Sequence, residues 1–150
     1  MKLSSRTEYA VRAMAELAEM HGGGPISLRE IAARQDIPEK YLEQLFRQLR
    51  KAELISGLRG AQGGYSLARE PCEITVGDIM RAVDGPIAVC SCAAEGKGDA
   101  DCERKSHCAA HPVWAKLQDG IVSILDSTTL YDMLAKTATQ DMQGNRGGGS

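Results

Sequence analysis

Apolar residues recur at helical spacing from the start of the chain. Tyr9, Ala10, Ala13, Met14, Leu17 and Ala18 fall three and four apart, which predicts a helix from Ser5 to Met20. His21, three glycines and Pro25 end it. Ser27 and Glu30 have capping-box spacing, so a short second helix is expected there, turning Leu28, Ile31 and Ala32 inward. Gln35, Asp36 and Ile37 read as a turn. Pro38 suits the first position of a third helix, where its missing N–H has no partner to lose. That helix is predicted to reach about Lys51, with Tyr41, Leu42, Leu45, Phe46 and Leu49 on its apolar stripe.

The pattern then changes to short strands. Leu54 to Gly57 and Tyr65 to Ala68 flank a glycine-bearing loop, which predicts a hairpin. Thr75 and Asp78 open another short helix, expected to end near Asp84, Gly85 and Pro86. A long helix is expected from Pro112, carrying Val113, Trp114, Leu117, Ile121, Ile124 and Leu125. Thr129 reads as the cap of a last short helix, and the polar chain from Thr139 is expected to be disordered. The predicted fold is mainly α with a small β-hairpin. It comprises a winged helix-turn-helix domain over 1–84, a cysteine-rich loop over 85–111, a long dimerisation helix with a short terminal helix over 112–138, and a tail over 139–150. Trp114, Leu117, Ile121 and Ile124 form a short seam of coiled-coil spacing. The preceding domain already has a core, so the seam is expected to bury against a second copy, giving a homodimer.

In a helix-turn-helix the second helix of the pair enters the major groove and presents its N-terminal residues to base edges. Here these are Glu39, Lys40, Tyr41 and Gln44, with Arg47 further along. Gln44 can bond adenine bidentately, and Arg47 or Lys40 can reach guanine or phosphate. Tyr41 also fits the buried stripe. Arg59, on the loop of the hairpin, is placed to enter the minor groove or hold phosphate. The expected partner is a double-stranded, roughly palindromic DNA operator. Winged helices also serve as protein-binding modules, which is the competing reading. The net charge of −2 is unevenly spread: the first 70 residues carry 11 Lys/Arg against 9 Asp/Glu, and the rest 7 against 11. The mildly basic front half is the one that would meet DNA.

The apolar runs fall short of the ~20 residues of a membrane span, and the charged N-terminus lacks a signal-peptide core. The expected compartment is the cytoplasm, with no membrane partner. There five cysteines read as reduced thiols or metal ligands rather than disulfides. Cys92, Cys102, Cys108 and His111 follow the reading domain, separated by nine, five and two residues. Structural zinc prefers tight pairs of cysteines two to four residues apart. The looser spacing favours an iron–sulfur cluster over zinc, or over redox-active or idle thiols. Cys90 competes with Cys92 for the first ligand position, and Cys72 reads as a passive thiol. No nucleophile–base set, phosphate loop or carboxylate pair stands out, so an enzyme is not expected.

Several blocks resemble one family. The opening Met1-Lys-Leu-Ser with Tyr9-Ala-Val-Arg-Ala-Met, the block from Ile37 to Leu45 with its continuation to Ile55, the wing Arg59–Ala68 and the segment from Ile74 through Ile87 are similar to the IscR/NsrR/CymR family of bacterial winged-helix transcription regulators. The resemblance spans about residues 1–135. It implies a homodimer whose two winged helices, joined by a long helix, sit on a palindromic operator. It also implies that Gln44 and Arg59 touch DNA. Cys102, Cys108 and His111 resemble the later part of a cluster motif of three cysteines and a histidine. The first gap departs from that motif, at nine residues where five is usual. The implied cofactor is an iron–sulfur cluster, 2Fe–2S in preference to 4Fe–4S. Its fourth ligand would be His111 or, as in other branches, a carboxylate at the position of Glu8 from the partner subunit. The expected function is cluster-controlled operator binding. The alternative is a cluster-free regulator of the same fold, responding to a metabolite or a partner protein.

Overall fold

The computed structural model describes residues 2–61, 63–96 and 108–144. Helix α1 spans Ser5–Glu19, α2 Leu28–Gln35 and α3 Glu39–Lys51. Strands β1 (Ile55–Leu58) and β2 (Gly64–Leu67) form the hairpin, and a 3-10 turn at Pro71–Glu73 leads to α4 (Val76–Asp84). After the cysteine loop come α5 (His111–Ser127) and α6 (Leu130–Gly144).

Local chemistry sets most of these boundaries. The Ser4 hydroxyl accepts from Thr7 N–H at 3.1 Å and starts α1. Thr75 and Asp78 bond each other's backbone N–H at 3.0 Å, a complete capping box for α4. Thr129 and Asp132 do the same at the head of α6. Ser27 makes only its half of the expected box. Its hydroxyl accepts from Glu30 N–H at 3.2 Å, while the Glu30 carboxylate pairs with Arg34 at 2.6 Å. Pro38 caps α3 instead of occupying its first turn. Asp36 takes the left-handed conformation (φ 52°) that ends α2 and tightens the helix-turn-helix corner.

Helix α1 lies at the centre. Its alanines Ala10 and Ala13 are fully buried and let α2, α3, α4, α6 and β2 approach closely. Met14, Leu17, Ile31, Leu42, Leu45, Phe46, Leu49 and Ile79 fill the space between them. The Asp84 carboxylate accepts from the Ser4 and Thr7 hydroxyls, tying the end of α4 to the start of α1. In the hairpin, Ile55 pairs with Leu67 and Leu58 with Gly64, in antiparallel register. The strands sit one residue away from their predicted starts. The loop between α1 and α2 adds a third edge that the sequence reading missed. Ile26 and Tyr65 exchange backbone bonds at 2.9 and 2.7 Å. Gly64 makes this approach possible, because a Cβ there would fall inside the Ile26 carbonyl. The Tyr65 ring meets Phe46 edge-on at 4.9 Å, which fastens the wing to the recognition helix.

The C-terminal part differs from expectation. Helix α6 is not short: its backbone is helical through Gly144, beyond the Thr139 at which disorder is expected. Residues 145–150 lie outside the described residues. Leu130 is fully buried in the core of the N-terminal domain, and α6 packs on α1. Backbone bonds Val76 N–H to Thr128 and Leu130 N–H to Ile74 hold the return at 2.9 and 3.0 Å. Helix α5 is thereby anchored at its C-terminal end while much of its apolar stripe stays exposed.

Candidate nucleic-acid interface and cysteine loop

The outer face of α3 is polar because its apolar residues repeat on the opposite side. Leu42, Leu45, Phe46 and Leu49 face the core, which leaves Glu39, Lys40, Glu43, Gln44 and Arg47 exposed. Tyr41 is half-buried and meets Tyr9 edge-on at 5.6 Å, so the buried-stripe reading accounts for its ring. Glu43, which the sequence reading passed over, stands one turn before Arg47 and 3.6 Å from its guanidinium. Arg59 is exposed beside Gly60, whose φ of 116° makes the turn at the wing tip.

A second missed set fixes the angle of the reading helices. Arg12 on α1 donates to the Gln35 side chain at 3.1 Å and to the Gln35 carbonyl. Glu16 accepts from Gln35 at 2.6 Å and pairs with Arg34 at 3.5 Å. The end of α2 is therefore held by α1 just before the turn into α3. Bonds spanning 23 residues leave no local signature.

The stem of the cysteine loop is fastened on both sides. Gln118, a buried residue of α5, accepts from Val89 N–H and donates to the Ile87 carbonyl, each at 2.8 Å. Glu95 accepts from Ile87 N–H at 2.8 Å, and its own N–H donates to the Ile87 carbonyl at 3.0 Å. Arg81 on α4 grips Glu95 at 2.6 Å and Asp126 on α5 at 2.7 Å. The Arg81 hydrogen bond, followed by that from Ile87 N–H, holds the Glu95 carboxyl below its ordinary range. The Arg81 hydrogen bond also lowers Asp126. Gly77 gives Asp126 its room, since a Cβ there would overlap the carboxylate. One guanidinium thus joins α4, the loop and α5.

Within the loop, the Cys90 and Cys92 sulfurs lie 3.4 Å apart and half-buried. Among the described residues, no disulfide links Cys72, Cys90, Cys92 or Cys108 to one another. Cys102 lies outside the described residues. Cys108 is half-buried, and its carbonyl accepts from His111 N–H at 3.3 Å. His111 is the first residue of α5, one place earlier than Pro112, and its Nδ1 is buried with no hydrogen-bond partner among the described residues. A buried imidazole nitrogen left unpaired is costly, and coordinating a cation would satisfy it. A buried imidazole nitrogen and the cysteines of the loop are donor types that suit a thiolate–imidazole centre. Among the described residues no three His, Cys, Asp or Glu side chains gather as one metal group. Glu8 is exposed on α1, beside a cleft of about 400 Å³ lined by Leu3, Val11, Met80 and Leu125. Cys72 is exposed on the 3-10 turn, outside the loop.

Residues 3–136 match the Rrf2 family, described as iron-dependent transcriptional regulators. The chain belongs to this family. It is 40% identical over 137 residues to the transcriptional regulator CymR of Bacillus subtilis, covering 91% of this chain and 92% of that one. The solved structure of CymR, the global cysteine regulator of that organism, superposes with a TM-score of 0.75. The regulator IscR of Escherichia coli is 37% identical over 146 residues, covering 97% of this chain and 88% of the relative. The structure of T. potens IscR gives a TM-score of 0.74 at 43% identity, covering 91% of this chain and 88% of that one. The protein is therefore a DNA-binding transcriptional regulator of winged-helix fold, and its relatives are named as regulators rather than enzymes. Among the described residues, no helix is long and apolar enough to cross a membrane.

Proposed function

We propose that this Rrf2-family regulator is a homodimer whose hold on a palindromic operator is set by an iron–sulfur cluster. The carrying observation is His111 Nδ1, buried and without a hydrogen-bond partner among the described residues, at the head of α5 three residues after Cys108. Cys92, Cys102 and Cys108 would supply thiolates, with His111 or Glu8 of the partner subunit as the fourth ligand. Such a centre, when bound, supplies a redox-labile group whose loss or oxidation can be sensed. On this reading 2Fe–2S is preferred to 4Fe–4S.

The chain's own residues would do the rest. Glu39, Lys40, Gln44 and Arg47, exposed on α3, would meet the major groove together with what half-buried Tyr41 leaves exposed, and Arg59 on the wing would meet the minor groove. Trp114, Leu117 and Ile124 are 40%, 43% and 65% exposed along α5. An apolar stripe of that extent supports burial against a second copy. Cys108 and His111 adjoin the start of α5, and Gln118 and Arg81 tie the loop stem to that helix and to α4. Ordering the loop would therefore bear on the elements that space the two recognition helices.

Iron and acid-labile sulfide in anaerobically purified protein, with its visible absorption spectrum, test this reading. Stoichiometric iron and sulfide are expected, and colourless iron-free protein would overturn it. The second reading is a cluster-free regulator that answers to a metabolite or partner protein, supported by the similarity to CymR.

A further inference from the structure

Cys90 and Cys92 compete for one ligand position in the sequence, yet the structure brings their thiols together. Their sulfurs are 3.4 Å apart across the single residue Ser91. The turn is closed by Ala93 N–H donating to the Cys90 carbonyl at 3.2 Å. On one side Gln118 fastens Val89, and on the other Glu95 is held by Arg81 and by Ile87. The pair therefore sits at the tip of a segment clamped at both ends.

We propose that Cys90 and Cys92 are a thiol modification site, at which the two residues close into a reversible intrachain disulfide. A disulfide places its sulfurs about 2.05 Å apart. From the present separation, side-chain rotation alone need move them little more than 1 Å. The oxidant is a low-molecular-weight disulfide. One cysteine thiolate attacks it, forms a mixed disulfide and releases the first small thiol. The other cysteine then attacks the mixed disulfide and releases the second. One S–S bond is broken and one formed. Two electrons pass to the small disulfide, and the two thiol protons end on the released thiols. A ring closed across one intervening residue is strained, and strained disulfides are the more easily reduced, so the step reverses when small thiols return.

The disulfide stands on the geometry alone, whereas its consequence rests on the reading of Cys92 as a cluster ligand. A sulfur committed to a disulfide has no thiolate to offer a metal. Oxidation of the pair would then block cluster assembly, and reduction would permit it.

Cluster-free protein equilibrated anaerobically with glutathione and glutathione disulfide in graded ratios, alkylated and digested with trypsin, gives the test. Peptide 82–97 holds Cys90 and Cys92 but no other cysteine. It is expected to lose both alkylation sites together and to become lighter by two hydrogens, at ratios that leave Cys72 alkylated. Dithiothreitol should restore both sites, and Cys90→Ser should abolish the paired loss. The proposal is overturned if Cys92 is found joined to Cys102 or Cys108. It is equally overturned if the pair stops at glutathione adducts, or stays reduced where Cys72 is modified. Iron and sulfide uptake by the same protein, oxidised and then re-reduced, reads the consequence: uptake should be lost and regained. If fully reduced protein takes up no iron, the cluster reading fails while the peptide result still decides the disulfide.

Discussion

At the scale of single residues, the cysteines divide by position. Cys102 and Cys108 are ligands on the proposed reading, whereas Cys72 sits exposed on the 3-10 turn. Cys102→Ala and Cys108→Ala should each abolish iron binding, and Cys72→Ala should leave it intact. Equal iron in all three, measured after anaerobic purification, would defeat the ligand assignment. The reading face divides similarly. Gln44 is exposed mid-face on α3, and Gln44→Ala should cost about 1–3 kcal/mol at one base position and relax preference there. Arg59→Ala, if the wing holds phosphate, should weaken all sequences and reduce the salt slope by about one unit. A salt series of binding titrations on cognate and altered operators checks both. Tyr41 is less exposed to such a test, because its ring packs on Tyr9 and its removal would disturb α1 as well.

At the scale of elements, the junction of α4, the loop and α5 depends on one arginine with two carboxylates. Glu95 is held below its ordinary value of 4.5 by Arg81 and by the Ile87 N–H. A carboxylate with a lowered folded-state pKa adds stability above its unfolded value and loses it as pH falls through the folded value. The thermal midpoint of wild-type protein should therefore exceed that of Glu95→Gln by a constant margin above about pH 5. The margin should shrink as acid protonates the carboxyl below its ordinary range. A margin unchanged down to pH 3 would show that the ion pair contributes nothing. The same variant should exchange the amide of Ile87 faster, because that N–H loses its acceptor.

At the scale of the whole molecule, the apolar stripe on α5 requires a second copy or a cost in solvent. Ile124 is 65% exposed and makes no claim on the chain's own core. Ile124→Asp would set like charges near each other across a two-fold seam, at a cost of several kcal/mol. Sedimentation should find this variant monomeric with its helical content retained; a variant still dimeric would move the interface elsewhere. Cluster-loaded and cluster-free wild-type protein should both remain dimeric, since the seam lies outside the ligand loop. They should differ in operator affinity by roughly 5–150-fold, the usual span of allosteric coupling. Identical titration curves at fixed salt would leave the centre structural, because a ligand shifts an equilibrium only through differential interaction with two states.

The features legible in the chain are those whose partners lie within one helical turn or one hairpin. Thr75 with Asp78, the start of α6 at Thr129, the stripe of α3 and the exposed set from Glu39 to Arg47 all follow from backbone geometry repeating every few residues. The family and its fold were legible too, because they are carried by contiguous blocks. The tertiary structure decided what depends on closing long stretches of chain. Arg81 finds partners 14 and 45 residues away, and Ile26 pairs with Tyr65 across the helix-turn-helix. Gln118 reads as a polar interruption of a long helix until Ile87 and Val89 are folded over it. Leu130 reads as the start of a separate short helix until α6 returns to the core and buries it. Cys90 and Cys92 are alternatives in one dimension and neighbours in three, because the loop is clamped by residues that no local spacing connects to it.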